Sequence, residues 1–262
     1  MKKYIQYFRL NMINQLKYPV DLLSGILDKI IAAAASFFLW YAAYSDDRIV
    51  NGLDINQILI YVILANLITF LFNNGKDREI AKRMKNGDIA IDLTRPVQFQ
   101  IYTVMRSVAE SISKFCLFAA GIIVILKIVY RSYLLNDLLL TIAFLCSILL
   151  GICLQAEIDF CIGILSFWFI NYWGLSIAKE AVVEIFSGAL FPLELLGGAV
   201  QQAAGFFPFQ YMLAVPVYIA LGTDPSGTAQ SIMRQILWIA IFHLAGAVLY
   251  KKAVKRITIM GG

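Results

Sequence analysis

Charged residues are scarce in this sequence. Asp, Glu, Lys and Arg make up 15% of its 262 residues, whereas an ordinary soluble domain has about 25%. Hydrophobic residues make up 60%, and so few charges cannot cover the outside of a water-soluble fold of this length. The composition therefore excludes a typical soluble domain. It predicts an all-α polytopic membrane protein, whose backbone groups are satisfied within each helix.

Residues that support catalysis are also few. The sequence has one histidine, His243, and no motif of the types GxxxxGK[ST], GxGxxG or HExxH. The chain is therefore predicted not to be an enzyme and to hold no metal or cofactor of its own. His243 falls within a predicted span, where a hydrogen bond inside the helical bundle is favoured over a proton relay. The cysteines form no CxxC pair and are interpreted as small apolar residues within the spans: Cys116, Cys146, Cys153 and Cys161.

Uncharged runs define the membrane spans, because a helix needs roughly 20 apolar residues to cross a bilayer. The sequence predicts one transmembrane domain, 1–262, with six spans at 22–44, 56–74, 107–129, 137–156, 159–178 and 232–250. Residues 1–20 are predicted as an amphipathic helix in the membrane interface, with a frayed, solvated tail as the alternative. Residues 187–223 are rich in Gly and Pro, which predicts a re-entrant segment of two short helical pieces before the sixth span.

Basic residues predict the orientation, because cytoplasmic loops carry an excess of Lys and Arg. The segment before the first span, the segment after the second span and the C-terminal tail are basic, whereas residues 187–231 contain no Lys or Arg. Both termini are therefore predicted to be cytoplasmic, and 187–223 extracellular. Glu157 and Asp159 then fall at the inner turn between the fourth and fifth spans, where solvation accounts for them.

The cytoplasmic segment 76–97 has a helical pattern of its own. A short charged helix with Ile80 and Met84 on one side ends near Gly87, which suits a left-handed cap. Asp88 is placed to cap a second short turn. Such a loop often serves only as a positively charged anchor. The alternative is a docking element for a soluble partner, because the apolar residues cannot bury themselves in so short a helix.

Charged residues also follow the fifth span. Lys179, Glu180 and Glu184 either mark the outer end of that span or line the mouth of a transport pathway, since charges in lipid are costly unless they reach water or each other. The residues after them permit a sharp reversal of the chain. The candidates for the pathway or its gate are therefore Lys179, Glu180, Glu184, Ser187, Gly188 and Pro192.

Several stretches carry a resemblance to a known family: GDIAIDLTRPV at 87–97, SGALFPLELL at 187–196, FPFQYMLAVP at 207–216 and the ending KKAVKRITIMGG. With the layout of spans, they resemble the bacterial membrane (permease) subunit of ABC exporters of the type-2 permease class, over essentially the whole chain. The resemblance implies a coupling helix in 76–97 that contacts a separate ATP-binding subunit, which binds ATP and Mg. By position, the contact candidates are Arg78, Ile80, Arg83, Met84, Gly87, Asp88 and Arg95.

The resemblance also implies a dimer with a second permease subunit, either identical or different, in the bacterial plasma membrane. It implies outward transport of hydrophobic drugs, peptides, lipids or glycans, and the charge pattern indicates no nucleic-acid partner. The alternative function is an ion-coupled secondary transporter or channel that works without an ATPase. That alternative needs carboxylates along a path through the membrane, and the predicted spans contain few of them.

Overall fold

The computed structural model describes residues 2–15, 19–43, 55–72, 75–86, 88, 98–129, 138–169, 171–222 and 227–260. Within these residues the chain contains α-helices, short 3-10 helices and no β-strand. Two segments form 3-10 helices, Leu193–Leu195 and Phe209–Tyr211. The α-helices are α1 (Lys2–Gln15), α2 (Pro19–Ala43), α3 (Ile55–Phe72), α4 (Lys76–Lys85), α5 (Phe99–Val129), α6 (Leu138–Leu165), α7 (Tyr172–Phe186), α8 (Gly198–Phe206), α9 (Ala214–Leu221) and α10 (Thr228–Met260).

Several helices have the length and composition of membrane spans. Among the described residues, four stretches are long and apolar enough to cross a membrane: Leu23–Ala43, Ile55–Lys85, Leu138–Leu165 and Thr228–Lys255. The apolar part of Ile55–Lys85 is α3, because α4 is strongly charged. Helix α5 has 31 residues, which at 1.5 Å per residue is about 46 Å. These helices support a multi-pass membrane protein, and the count of six spans stays a prediction.

Helix α6 is the centre of the fold. It contacts α3, α4, α5, α7, α9 and α10, and its side chains from Gly151 to Cys161 are almost all buried. Gly151 allows a close approach, because a Cβ there would lie 2.6 Å from the carbonyl oxygen of Met212. One hydrophobic cluster joins α3, α6 and α9, and a smaller one joins α4 to α5, α6 and α10.

The helix boundaries between the fourth and fifth predicted spans differ from the prediction. Helix α6 continues without a break to Leu165, and α7 begins only at Tyr172. Glu157 and Asp159 are therefore not solvated turn residues, since they are 4% and 1% exposed. The physical reason is that side chains on neighbouring helices bond both carboxylates, so these residues remain helical and buried.

The segment 187–222 is bonded tightly to the helices around it. Gly188 has a φ of 81°, a left-handed conformation that favours glycine, and its carbonyl accepts a hydrogen bond of 2.8 Å from the Tyr61 hydroxyl. Gln235 on α10 is fully buried and donates from Nε2 to the carbonyl of Tyr211 at 2.7 Å and to Ser147 Oγ at 2.9 Å. The two short helices α8 and α9 lie in this segment, and its re-entrant course through a membrane stays a prediction.

Candidate functional site

Helix α4 is short, and its ends follow helix electrostatics. Gly75 precedes it with a φ of 56°, which favours glycine. Asp77 and Glu79 lie in the first turn and basic residues in the last turn, an arrangement that complements the helix dipole. An isolated helix of ten residues is nevertheless marginal in water. Helix α4 therefore depends on its neighbours.

One side of α4 is bonded to α5 by a ring of four charged residues. Lys76 Nζ lies 2.7 Å from the carboxylate of Glu110, and Arg106 Nη1 lies 2.6 Å from Glu79 Oε1. The Lys76–Glu79 pair at 3.0 Å and the Arg106–Glu110 pair at 3.2 Å close the ring. The side chains of Lys76 and Glu110 are each 8% exposed. Removing either one would leave the other buried charge with a single partner instead of two, which is destabilising.

The ring lowers the pKa of Glu79. Burial alone raises the pKa of this carboxyl, but the positive charges of Lys76 and Arg106, with their hydrogen bonds, outweigh burial and hold the pKa below its ordinary value. The ionised carboxylate therefore contributes stability that is present above the ordinary pKa. That stability is lost as the pH falls through the lowered pKa.

The other side of α4 is bonded to α6 and α7. Lys179 on α7 lies between two carboxylates, 3.1 Å from Asp77 Oδ2 and 2.7 Å from Asp159 Oδ1. Ser176 Oγ donates to Asp77 Oδ2 at 2.6 Å. Lys179 is 7% exposed at its side chain and the two carboxylates 1% each. Three helices therefore meet at one buried ammonium group.

A second pair places the same residues at one end of the bundle. Arg78 forms an ion pair with Glu180, and its Nε donates to Ser176 Oγ at 2.9 Å. The prediction put 76–97 on the cytoplasmic side and Lys179 and Glu180 at the outer end of a span, and these contacts exclude that combination. Helix α4 and these residues of α7 therefore lie at the same end of the bundle, so Lys179 and Glu180 cannot mark the outer end of a span while α4 is cytoplasmic. Which side of the membrane that end faces stays a prediction, and the excess of basic residues in 76–106 favours the inner side.

The apolar side of α4 is buried within the chain. Ile80 and Met84 are 3% and 8% exposed, and they form a hydrophobic cluster with Phe160 and Ile164 of α6. Gly163 makes the contact close, since a Cβ there would lie 2.7 Å from Ile80 Cβ. This corrects the prediction that Ile80 and Met84 dock on a soluble partner. The neighbouring helices supply the burial that a lone short helix lacks.

The accessible surface of α4 and its C-terminal end is polar. Lys82, Lys85 and Asp88 are exposed, and Arg83 is partly exposed. Arg83 and Asp88 therefore remain accessible among the predicted contact residues. Of the other predicted contact residues, Arg78 is ion-paired within the chain. Ile80 and Met84 are buried within the chain. Gly87 and Arg95 lie outside the described residues.

A cavity of about 130 Å³, lined by both charged and apolar residues, lies beside Lys179. Helices α2, α3, α6 and α7 contribute to its walls, together with residues that follow α7. The cavity brings together four of the predicted pathway residues, Lys179, Glu180, Glu184 and Ser187. Gly188 and Pro192 are not among its lining residues.

His243 lies in a separate polar cluster. Its Nδ1 is 2.8 Å from Glu157 Oε1, and Gln100 Nε2 donates to Glu157 Oε2 at 3.0 Å and to the His243 carbonyl at 2.9 Å. The cluster joins α5, α6 and α10. The hydrogen bond inside the bundle that the sequence predicts for His243 is thus present.

Sequence reasoning missed most of the residues that bond α4 to its neighbours. A signal was present, because acidic residues that stand alone within apolar helices need partners. The alternating charges at 76–79 supply some of those partners. The missed residues are Lys76, Asp77, Glu79, Arg106, Glu110, Asp159 and Ser176. Gln155, which lines the cavity, was also missed.

The long apolar helices and the charged cavity among them define a multi-pass helical membrane protein. The sequence profile of the family described as "ABC-2 family transporter protein" matches residues 30–261. The match covers most of the chain, so the protein belongs to the ABC-2 transporter family and is an ABC-2 type permease. Membership implies a partnership with an ATP-binding subunit and a place in a membrane. No curated protein sequence matches the chain.

Proposed function

We propose that this chain is the permease subunit of an ATP-driven exporter. In this proposal, the chain pairs with a second permease, identical or different, and the pair forms the substrate pathway. ATP and Mg bind to a separate subunit, and this chain carries out no catalysis. Both termini and α4 face the cytoplasm of a bacterial cell. Family membership supports the permease role, and the resemblance in sequence supports the outward direction.

The observation that carries the proposal is the attachment of α4 to three other helices. The ring around Lys76 bonds α4 to α5, and Lys179 bonds it to α6 and α7 through Asp77 and Asp159. Separating such buried pairs costs several kcal/mol, about 3–5 for one lost partner. A force applied to α4 is therefore transmitted to α5, α6 and α7 through these contacts.

The accessible surface of α4 indicates the kind of partner that applies the force. Lys82 and Lys85 are exposed and basic, with Asp88 just beyond the end of the helix. Charged rims of this kind determine which partner binds and how fast. We therefore propose that the ATP-binding subunit contacts α4 through a polar cleft, with acidic residues facing Lys82 and Lys85 and a basic residue facing Asp88, while Ile80 and Met84 stay inside the permease.

The test is purification of the permease with its ATP-binding subunit and measurement of both binding and ATP hydrolysis. Lys82→Glu and Asp88→Lys reverse exposed charges without disturbing the buried pairs. We expect either change to weaken binding at least tenfold, which corresponds to about 1.4 kcal/mol, and to reduce coupled hydrolysis. The unfolding midpoint of the permease alone is expected to stay the same.

Asp28→Lys is the matched control for the charge reversal. Asp28 is an exposed carboxylate on α2 with its side chain 72% exposed, and its reversal is expected to leave binding unchanged. Normal binding and hydrolysis in both α4 variants would refute the proposed contact. Transport by vesicles that contain this chain and no ATPase would instead establish the ion-coupled alternative.

A further inference from the structure

Oxygen atoms in the walls of the cavity beside Lys179 have unmet hydrogen-bonding capacity. Among the described residues, Ser187 Oγ, Gln155 Oε1 and Asp159 Oδ2 find no hydrogen-bond partner. All three residues line the cavity, and their exposed fractions are 1%, 7% and 1%. Leaving a buried polar group unsatisfied is costly, so native sites of this kind normally hold a matching group. Two of these atoms, Gln155 Oε1 and the carboxylate oxygen Asp159 Oδ2, can only accept hydrogen bonds.

The charges around the cavity leave one negative charge in excess. Its lining includes two lysines, Lys29 and Lys179, and three carboxylates, Asp159, Glu180 and Glu184. Extending the count to the paired residues outside the lining adds one cation, Arg78, and two carboxylates, Asp77 and Asp28. Asp28 is exposed to solvent, and the three buried charges alone, Lys179, Asp77 and Asp159, also leave one negative charge in excess. Lys179 already lies between two carboxylates, and it leaves Asp159 Oδ2 unmet.

We propose that this cavity binds one small monovalent cation. An alkali-metal ion with its remaining waters, or a primary ammonium group, would supply the single positive charge and satisfy the unmet oxygens. Amide, hydroxyl and carboxylate oxygens are the ligands that hard cations prefer. The volume of about 130 Å³ holds such an ion with several waters, at roughly 10–15 Å³ for each water centre.

The ligand set argues against a divalent or transition metal. Among the described residues, no group of three or more His, Cys, Asp or Glu side chains is arranged to hold a metal ion. The proposed ligands are instead one carboxylate, one amide and one hydroxyl, from Asp159, Gln155 and Ser187. Divalent sites in proteins usually collect more carboxylates than this.

The bound cation would join two parts of the fold. Gln155 and Asp159 lie one turn apart on α6, and Gln155 Nε2 donates to Asp159 Oδ1 at 2.9 Å. Ser187 is the first residue after α7. A cation between them would bridge the centre of the bundle to the start of the segment 187–222, close to the ammonium of Lys179.

The first experiment needs no variant. The full chain is purified in detergent with any subunit that accompanies it, and binding of ²²Na⁺ and ⁸⁶Rb⁺ is measured at equilibrium. Unlabelled Li⁺, Na⁺, K⁺ and methylammonium chlorides compete at constant ionic strength, with N-methylglucamine chloride as the bulky cation. We expect the chain to bind at least one small cation saturably, at one ion per chain. N-methylglucamine is expected not to compete.

The competition shows whether the bound cation is a metal ion or an ammonium group. Displacement by alkali ions alone assigns the site to a metal ion, and tight competition by methylammonium assigns it to an ammonium group. Either result supports the proposal. Absence of saturable binding by every small cation, or saturation by Ca²⁺ alone, overturns it.

Variants then locate the site. Asp159→Asn is expected to weaken cation binding at least tenfold, an energy of about 1.4 kcal/mol, and Ser187→Ala to weaken it several-fold without changing any charge. Asp88→Asn is the matched control, since Asp88 is exposed and lies outside the cavity lining. If Asp159→Asn does not fold, Ser187→Ala still decides the location. Unchanged affinity in Ser187→Ala, or an equal loss in Asp88→Asn, would rule out this cavity.

Discussion

Replacement of Ile80 by alanine tests whether the apolar side of α4 belongs to the permease or to a partner. In the structure, Ile80 is 3% exposed and packs in a cluster with residues of α5, α6 and α10. Ile80→Ala should therefore destabilise the permease when no other subunit is present. A residue that packs only on a soluble partner would have no such effect.

The size of the effect follows from the contacts. The substitution removes three carbon groups, and at about 0.8 kcal/mol for each buried group this gives about 2.4 kcal/mol. The void left behind adds to this value, and Ile→Ala changes in packed interiors cost about 2–5 kcal/mol. Ile80 side-chain atoms would lie 2.7–3.0 Å from a Cβ at Gly163. The helices are therefore in close contact, and we expect a loss of about 3 kcal/mol.

The assay is denaturant unfolding of the isolated permease in detergent, followed by tryptophan fluorescence. Trp168 packs against the same cluster and reports on its loss. Lys82→Ala is the control on the same helix, because Lys82 is exposed and surface changes usually stay within about 0.5 kcal/mol. A loss in Ile80→Ala no larger than in Lys82→Ala would refute the packing of α4 described here.

Four further outcomes follow from the described contacts. Lys179→Met should cost about 3–5 kcal/mol by leaving buried carboxylates unpaired, and adding Asp159→Asn should restore part of this stability in the same unfolding assay. Tyr61→Phe should cost about 1–3 kcal/mol by leaving the Gly188 carbonyl unsatisfied. Gly188→Ala should cost more, because it adds left-handed strain of about 1–2 kcal/mol to a clash with the Tyr61 hydroxyl. The stability of the permease should fall as the pH drops below the ordinary Glu79 pKa of 4.5. Glu79→Gln should remove that part of the pH dependence. An identical pH profile in the variant would contradict the ion pairs of Glu79 with Lys76 and Arg106.

Composition and hydropathy were sufficient to predict the class of fold. Apolar runs are properties of single segments, so a membrane-spanning helix such as α2 or α10 can be recognised without knowledge of its neighbours. The family was likewise predictable, because its short motifs lie in a fixed order relative to the spans, and the profile match agrees with it.

The pairing of charges between helices was not predictable from the same information. Asp77 and Lys179 are 102 positions apart in sequence, and nothing local to either indicates the other. The break predicted between Ala156 and Asp159 had a related cause. Acidic residues within an apolar run resemble a solvated turn when their partners on other helices are unknown, whereas α6 holds them inside a continuous helix.

Lys179 occupies the position where work applied to α4 would reach the cavity. Its ammonium group is shared between Asp77, which belongs to α4, and Asp159, which lines the cavity. If α4 moves away from α7 in the proposed transport cycle, Lys179 keeps only Asp159 as its partner, and the electrostatic field at the cavity changes. A cation bound beside Asp159 would then be held less tightly, because the ammonium group would neutralise that carboxylate more completely. The order in which these contacts change would couple cation release to the movement of α4, without any contact between the cation and the ATP-binding subunit.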